Sequence, residues 1–257
     1  MAIHQLLGDT GVLELVMDNP PVNALNIGDT YELAGILDDV RYRLEVRAVI
    51  LTATGKGFCA GVDIKEMQQL PDNEGIIGAN RSCFELFRAV YECAVPVVTA
   101  VQDFCLGTGI GIAGNSDVLI AADGVAFGLP EVDNGALGAA THLSRLVPEK
   151  RARQMLYTCE PAMAEELAGY GSVYRVVPAA ELMDAARELA GRIAAKNGLV
   201  MRRAKESMNG IDPVDVKRSY RYEQGFTFEL NLHGEGDRAR EAFLAGDREV
   251  RDGEERA

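Results

Sequence analysis

The chain is poor in histidine, in positive charge and in long apolar runs, and each shortage closes a class of function. Only three histidines, His4, His142 and His233, are present. The five cysteines, Cys59, Cys83, Cys93, Cys105 and Cys159, are odd in number and form no C-x-x-C pair. Neither a metal site nor a disulfide framework is therefore expected, and the thiols read as buried packing. Lys and Arg total 26 against 39 Asp and Glu, a formal charge of -13, which argues against a nucleic-acid partner. An anionic ligand must instead be held locally, by backbone amides and a few cations. No apolar run approaches the roughly 18 residues of a membrane span. The opening MAIHQLLGDTGVLELV has no basic segment leading into an apolar one and no processing site, so the expectation is a cytoplasmic protein without a membrane partner.

What is present is an ordinary folded composition. With 257 residues, 47% hydrophobic and 25% charged, the chain suits one large domain or a domain with a small appendage. IHQLLGD and GVLELVMD read as a hairpin around Gly8-Asp9-Thr10-Gly11. A helix is expected from about Asp29 to Arg43, then a buried strand VRAVILTA closed by the glycine loop TGKGFCAG. A helix from about Asn80 to Cys93, the strands PVVTAV, DVLIAA and VAFG, helices around Leu143 and Arg153, and a last strand SVYRVV follow. Beyond Ala179 only helices are expected, one of them starting at Asp212-Pro213. These spans predict a β/α body over 1–195 and a helical part over 196–257. No low-complexity segment or sequence repeat is apparent, although the strand-strand-helix rhythm fits a coiled stack of units.

GTGIGIAG matches a dinucleotide-binding fingerprint at Gly109, Gly111 and Gly114, but its surroundings do not. Only Asn115 and Ser116 separate it from the next strand, whereas a parallel crossover needs a dozen residues or more. Glycine costs up to about 1 kcal/mol relative to alanine within a helix. Three of them in two turns point either to helix packing or to close approach of a ligand. A second strand-loop-helix junction, GKGFCAGVDIKEM, starts a helix near Asp63. Two such junctions can aim two free backbone N–H groups at one oxygen, forming an oxyanion hole. Glu131, after Pro130 at the end of a strand, is a candidate base, expected on a loop rim rather than in a core.

Asn19-Pro20-Pro21-Val22-Asn23-Ala24-Leu25-Asn26, FCAGVDIKEM, PVVTAVQDFCLGTGIGIAGNSDVLIAA and FGLPEVDNGALGAATHLSRLVP, in this order, resemble the crotonase (enoyl-CoA hydratase/isomerase) superfamily from about Val12 to Ala245. The resemblance implies an α/β spiral of ββα units with C-terminal helices that trimerise. It further implies a homotrimer or a hexamer built as a dimer of trimers, and acyl-CoA thioester substrates that carry their CoA with them, with no separate cofactor. By motif the oxyanion amides are those of Val62 and Thr108. The CoA channel is lined by Val22, Ala24 and Leu25, by Ala60, Gly61, Asp63 and Ile64, and by Gly107, with Lys56 and Lys65 as candidates for the CoA phosphates.

Enoyl-CoA hydratases of that family carry two glutamates. Counting back twenty residues from Glu131 meets Gly111, so one acid is absent and simple hydration is in doubt. AGVDIKEMQ, RAVYECAVPV, GIGIAGNSDV and SYRYEQGFTFELNL are similar to a subgroup of crotonase-type hydrolases of steroid degradation. This implies retro-Claisen opening of a bicyclic dione CoA thioester by Glu131, with Gly111 leaving space for a ring. A Δ3,Δ2-enoyl-CoA isomerase, a hydratase-like lyase and a non-catalytic CoA-binding protein are the alternatives. Asp133, Asn134 and His233 are considered as helpers of Glu131. His142, Cys59, Tyr220, Tyr222, Phe226 and Phe228 are read mainly as surface or packing residues.

Overall fold

The structure, a computed structural model, describes residues 2–246. Its strands in chain order are β1 (Ala2–Leu7), β2 (Val12–Asp18), β3 (Ala48–Ala53), β4 (Val97–Val101), β5 (Phe104–Leu106), β6 (Val118–Ala122), β7 (Ala126–Gly128), β8 (Ala162–Met163) and β9 (Arg175–Val177). One sheet runs β1-β2-β3-β4-β6-β9 and a second runs β5-β7-β8. The first two strands form the expected antiparallel hairpin, with Leu7 opposite Leu13. From β2 onward the large sheet grows by parallel addition. Strands β3 and β4 are buried on both faces, which explains why AVILT and VVTAV are continuous apolar runs rather than alternating ones.

The helices are α1 (Ile27–Asp39), α2 (Ile64–Gln69), α3 (Glu74–Tyr91), α4 (Thr108–Asn115), α5 (Ala140–Leu143), α6 (Glu149–Thr158), α7 (Ala164–Tyr170), α8 (Leu182–Ala194), α9 (Gly198–Ile211), α10 (Val216–Leu232) and α11 (Glu235–Ala245). Successive units place one strand in each sheet and then a helix, as β4-β5-α4 and β6-β7-α5 do. That is the ββα spiral expected of the sequence.

Several boundaries differ from expectation for local reasons. Helix α1 starts earlier, because the Asn26 side chain accepts the Asp29 N–H at 2.7 Å, and ends in a 3-10 turn at Val40–Tyr42. Helix α10 starts not at Asp212-Pro213 but under Asp215, whose Oδ1 accepts the Arg218 N–H at 2.9 Å. Asp212 is instead engaged by Arg145. The short β5 and β8 and the helix α11 have no counterpart among the expected elements; strands of three and two residues are too short for periodicity to register.

The C-terminal helices return to the body. Helix α8 lies against β3, β4 and β6, α10 against α3 and α5, and α11 against α2. Helix α11 therefore touches α2, which follows Val62, and the 3-10 turn that follows Glu131; residues 247–257 of the C-terminal part lie outside the described ones.

Candidate active site

Two glycine junctions meet beside one carboxylate. The loop after β3 is fastened by the buried Asn23, whose Nδ2 donates to the Thr54 and Gly57 carbonyls at 2.8 and 2.9 Å. Residues 22–25 then run alongside 60–63. Ala60 N–H donates to Val22 O, Leu25 N–H to Gly61 O and Asp63 N–H to Leu25 O, at 3.1, 2.9 and 2.9 Å. Val62, between these bonds, donates its N–H to no described group. On the other junction Thr108 is the first residue of α4, so its N–H has no carbonyl within the helix to bond. A Cβ built on Gly107 would lie 3.1 Å from Gly61 Cα, which shows how closely the loops approach. Both free amides thus sit at one place, and the positive end of α4 adds to their pull on an anion.

Glu131 follows β7 and opens a 3-10 turn, Val132–Asn134. Its carboxyl is walled by Gly107 and Gly138, which have φ of 55° and 76°. A Cβ on Gly107 would fall 2.4 Å from Glu131 Oε1, and one on Gly138 would fall 2.7 Å from Cδ. Any larger residue at either position would be both strained and in collision. Contrary to the rim position expected, Oε2 is sealed from solvent and has no hydrogen-bond partner among the described residues. Burial pushes the carboxyl up to about 8, and the charge of Glu223 adds to the rise.

Helix α10 closes this wall from far along the chain. Glu223 accepts the Ala140 N–H at 2.7 Å and the Thr141 N–H at 3.0 Å. Thr227 Oγ1 accepts the Leu137 N–H at 3.2 Å. The three bonds hold residues 137–141, and with them Gly138, against Glu131. Glu223 is itself pushed up to about 7 by burial.

Val62, Thr108 and Glu131 face a common cavity of about 80 Å³, walled further by Cys83, Phe87 and Tyr220. Apart from Glu223, the titratable groups that wall or adjoin this cavity stay uncharged near neutrality. Burial pushes Cys59 and Cys83 up to about 12 and Tyr220 well above its ordinary value. Cys59 is thereby a packing thiol rather than a nucleophile.

Gly111 does not open this cavity, and the expected space for a ring at that position is absent. A Cβ there would lie 2.0 Å from Phe87 Cζ. The phenyl ring fills the volume that a glutamate side chain would need. Phe87 is fixed in turn by His142 and Tyr220, with ring centroids at 4.7 and 5.2 Å. His142 is wholly buried, its Nδ1 bonds Asn115 Nδ2 at 2.8 Å, and burial pushes it down to about 3. It is a neutral packing group, as its sequence context suggests. Asp133 interacts with Cys159, and His233 is exposed at the end of α10. Lys56 and Lys65 are exposed, and among the described residues the lysines in ion pairs are Lys205 and Lys217.

Phe87, Cys83, Tyr220, Glu223 and Thr227 are the site residues that sequence reasoning did not assign. Periodicity places them on apolar helix faces but does not say what those faces meet. Among the described residues no group of three or more His, Cys, Asp or Glu could hold a metal ion.

A buried acid held above its ordinary value favours the folded state below the unfolded-state value near 4.5 and loses that contribution as pH rises through about 8. The Glu131→Gln variant is therefore expected to gain in melting temperature relative to the wild type between pH 5 and pH 9. Thermal melts across that range check it, and a difference that stays flat with pH contradicts a buried, destabilised carboxylate.

The chain matches the enoyl-CoA hydratase/isomerase family over residues 8–236. It is 52% identical over 244 residues to the (7aS)-7a-methyl-1,5-dioxo-2,3,5,6,7,7a-hexahydro-1H-indene-carboxyl-CoA hydrolase of Rhodococcus jostii, covering 95% of each chain. The protein of the same name from Mycobacterium tuberculosis is 51% identical, with 95% of this chain and 99% of that one covered. Among solved structures, an enoyl-CoA hydratase/isomerase from Pseudoalteromonas atlantica superposes with a TM-score of 0.84 at 24% identity, over 96% of this chain and 98% of the other.

Proposed function

This chain belongs to the enoyl-CoA hydratase/isomerase family, and from that membership we propose that it hydrolyses a carbon-carbon bond in a bicyclic, steroid-derived dione carried as a CoA thioester. The observation that carries the proposal is the lone carboxylate. Glu131 faces the same cavity as the Val62 and Thr108 amides, and the place of a second acid is filled by Phe87. Paired acids that position water and protonate the neighbouring carbon are needed for hydration. A single acid that takes a proton and returns it suffices for hydrolytic ring opening. The relatives at 52% and 51% identity are named as hydrolases of an indene-dione CoA thioester.

In the proposed sequence the thioester oxygen accepts the Val62 and Thr108 N–H groups. Glu131, as carboxylate, takes a proton from water while the hydroxyl adds to a ring ketone. The tetrahedral adduct re-forms its carbonyl, the ring carbon-carbon bond breaks, and the electron pair passes into the thioester as an enolate held by the two amides. The proton on Glu131 then moves to the carbanion carbon. The product is one water heavier and bears a new carboxylic acid. CoA enters with the substrate and no separate cofactor is invoked.

Lys56 and Lys65 are proposed to meet the CoA phosphates, since both are exposed and neither forms an ion pair among the described residues. Residues Val22, Ala24 and Leu25, beside Ala60, Gly61, Asp63 and Ile64, are proposed as the channel wall, because these two segments hydrogen-bond to each other on the way to Val62. Assembly as a homotrimer or hexamer through the C-terminal helices is supported by Tyr222 and Phe226. Both are exposed on α10, their rings packed edge to face at 5.2 Å. A cytoplasmic location completes the proposal; among the described residues no helix is long and apolar enough to cross a membrane.

Incubation with the indene-dione CoA thioester and with a 3-enoyl-CoA, followed by mass spectrometry, tests the proposal. Gain of one water with ring opening is expected from the first. An unchanged mass with a shifted double bond in the second, and no reaction of the first, would make the protein an isomerase.

A further inference from the structure

The catalytic cavity lined by Val62, Thr108 and Glu131, about 80 Å³, adjoins a larger one. The adjoining space is a groove of about 360 Å³ between α3 and α10, and Ile76 walls both. Its sides are apolar, from Ile76, Ile77, Phe228 and Leu232, but Arg81 and Arg221 also line it. In an acidic chain most arginines near a carboxylate are paired with it; these two form no ion pair among the described residues.

Arg221 is also held in place. Its guanidinium lies 4.0 Å from the centroid of the Phe84 ring, and Nη1 donates to Gln224 Oε1 at 3.2 Å. Gln224 is buried, and its Nε2 donates to the carbonyl of Asn80, a residue of the catalytic cavity wall, at 2.7 Å. A stacked, oriented guanidinium beside apolar walls suits a planar carboxylate better than a flexible ammonium would.

We propose that Arg81 and Arg221 form an anion subsite that receives the carboxylate released when the ring opens. The inference rests on the hydrolytic reading above, because only hydrolysis converts a neutral ring ketone into an acid. The substrate would then enter the groove as an uncharged dione. The two arginines would bind the product more tightly than the substrate, favouring ring opening over reclosure at the site.

The test uses the ring-opened acid CoA thioester, prepared chemically, and its methyl ester. Calorimetric titration into the wild type is expected to show the acid binding at least about tenfold tighter than the ester. The Arg81→Gln/Arg221→Gln double variant should lose that preference while binding the ester and free CoA as the wild type does. Equal affinities of acid and ester for the wild type, or a preference retained within about twofold in the double variant, overturn the subsite. If the acid preference is found and depends on the arginines, yet the wild type does not hydrolyse the dione, the hydrolytic function fails while the anion subsite stands.

Discussion

Glu131→Gln is expected to lower kcat for opening of the dione CoA thioester by roughly 10²- to 10⁴-fold, the usual contribution of a general base. Glutamine has the same shape, so the carboxamide still fits between Gly107 and Gly138, and the Val62 and Thr108 amides are untouched. Binding of a non-hydrolysable CoA thioester should therefore change little. The wild type should also carry a pH signature that the variant lacks. Glu131 acts as a base when ionised, and burial holds it up to about 8, so wild-type kcat/KM is expected to rise with pH through a limb near 8. Steady-state rates of both proteins between pH 6 and 9.5 check the assignment. A loss below about tenfold, or a limb that survives in the variant, would assign the base elsewhere.

Restoring the family's second acid by Gly111→Glu is expected to cost stability and to produce no hydratase. The new Cβ would lie 2.0 Å from Phe87 Cζ. Phe87 is 2% exposed and packed against His142 and Tyr220, so the ring can yield only by displacing them or by filling the catalytic cavity that it walls. Overpacking of this kind costs about 1 to 3 kcal/mol, and a carboxyl placed in apolar surroundings adds a desolvation cost of similar size. For a chain of this length that is a fall of roughly 10 °C in Tm. Removing the obstruction in a Gly111→Glu/Phe87→Ala double variant should recover part of the loss, which makes Phe87 the cause rather than the charge alone. A single variant that melts with the wild type would mean that the ring is not fixed.

These two positions also divide what is legible in a sequence from what is not. Thr108 could be placed at a helix start because strand, glycine and helix are consecutive there, and backbone amides left open at such a start follow from helix geometry alone. The Asp63 cap of α2, with Lys65 and Glu66 N–H groups donating to it at 2.9 and 3.2 Å, is equally local. The family motifs likewise bring Val62 and Glu131 forward, because the chemistry resides in short segments. Gly111 is legible as a missing acid, but the space expected beside it is taken by Phe87. A glycine leaves space only if nothing else enters, and the ring that enters comes from a different helix, α3.

Glu131 illustrates the same boundary for electrostatics. Its place after Pro130 suggests a loop, and it does precede one. Whether that loop exposes or seals the carboxyl depends on α10, whose Glu223 binds Ala140 across 83 residues of chain. Solvation is a property of everything packed around a group, so no window of neighbouring residues contains it.

The sequence by itself determined most of the order of strands and helices, since that depends on the conformational limits of consecutive residues, and its resemblance to a family pointed to the two amides, to Glu131 and to the acid missing at Gly111, since those motifs are short and contiguous. Only the tertiary structure decided that Phe87 occupies the place of the absent acid, that the remaining acid is buried and held as a weak one, and that Arg81 and Arg221 face one groove. Those facts depend on which helix faces meet, and a hydrophobic period tells a face to be buried without naming its partner.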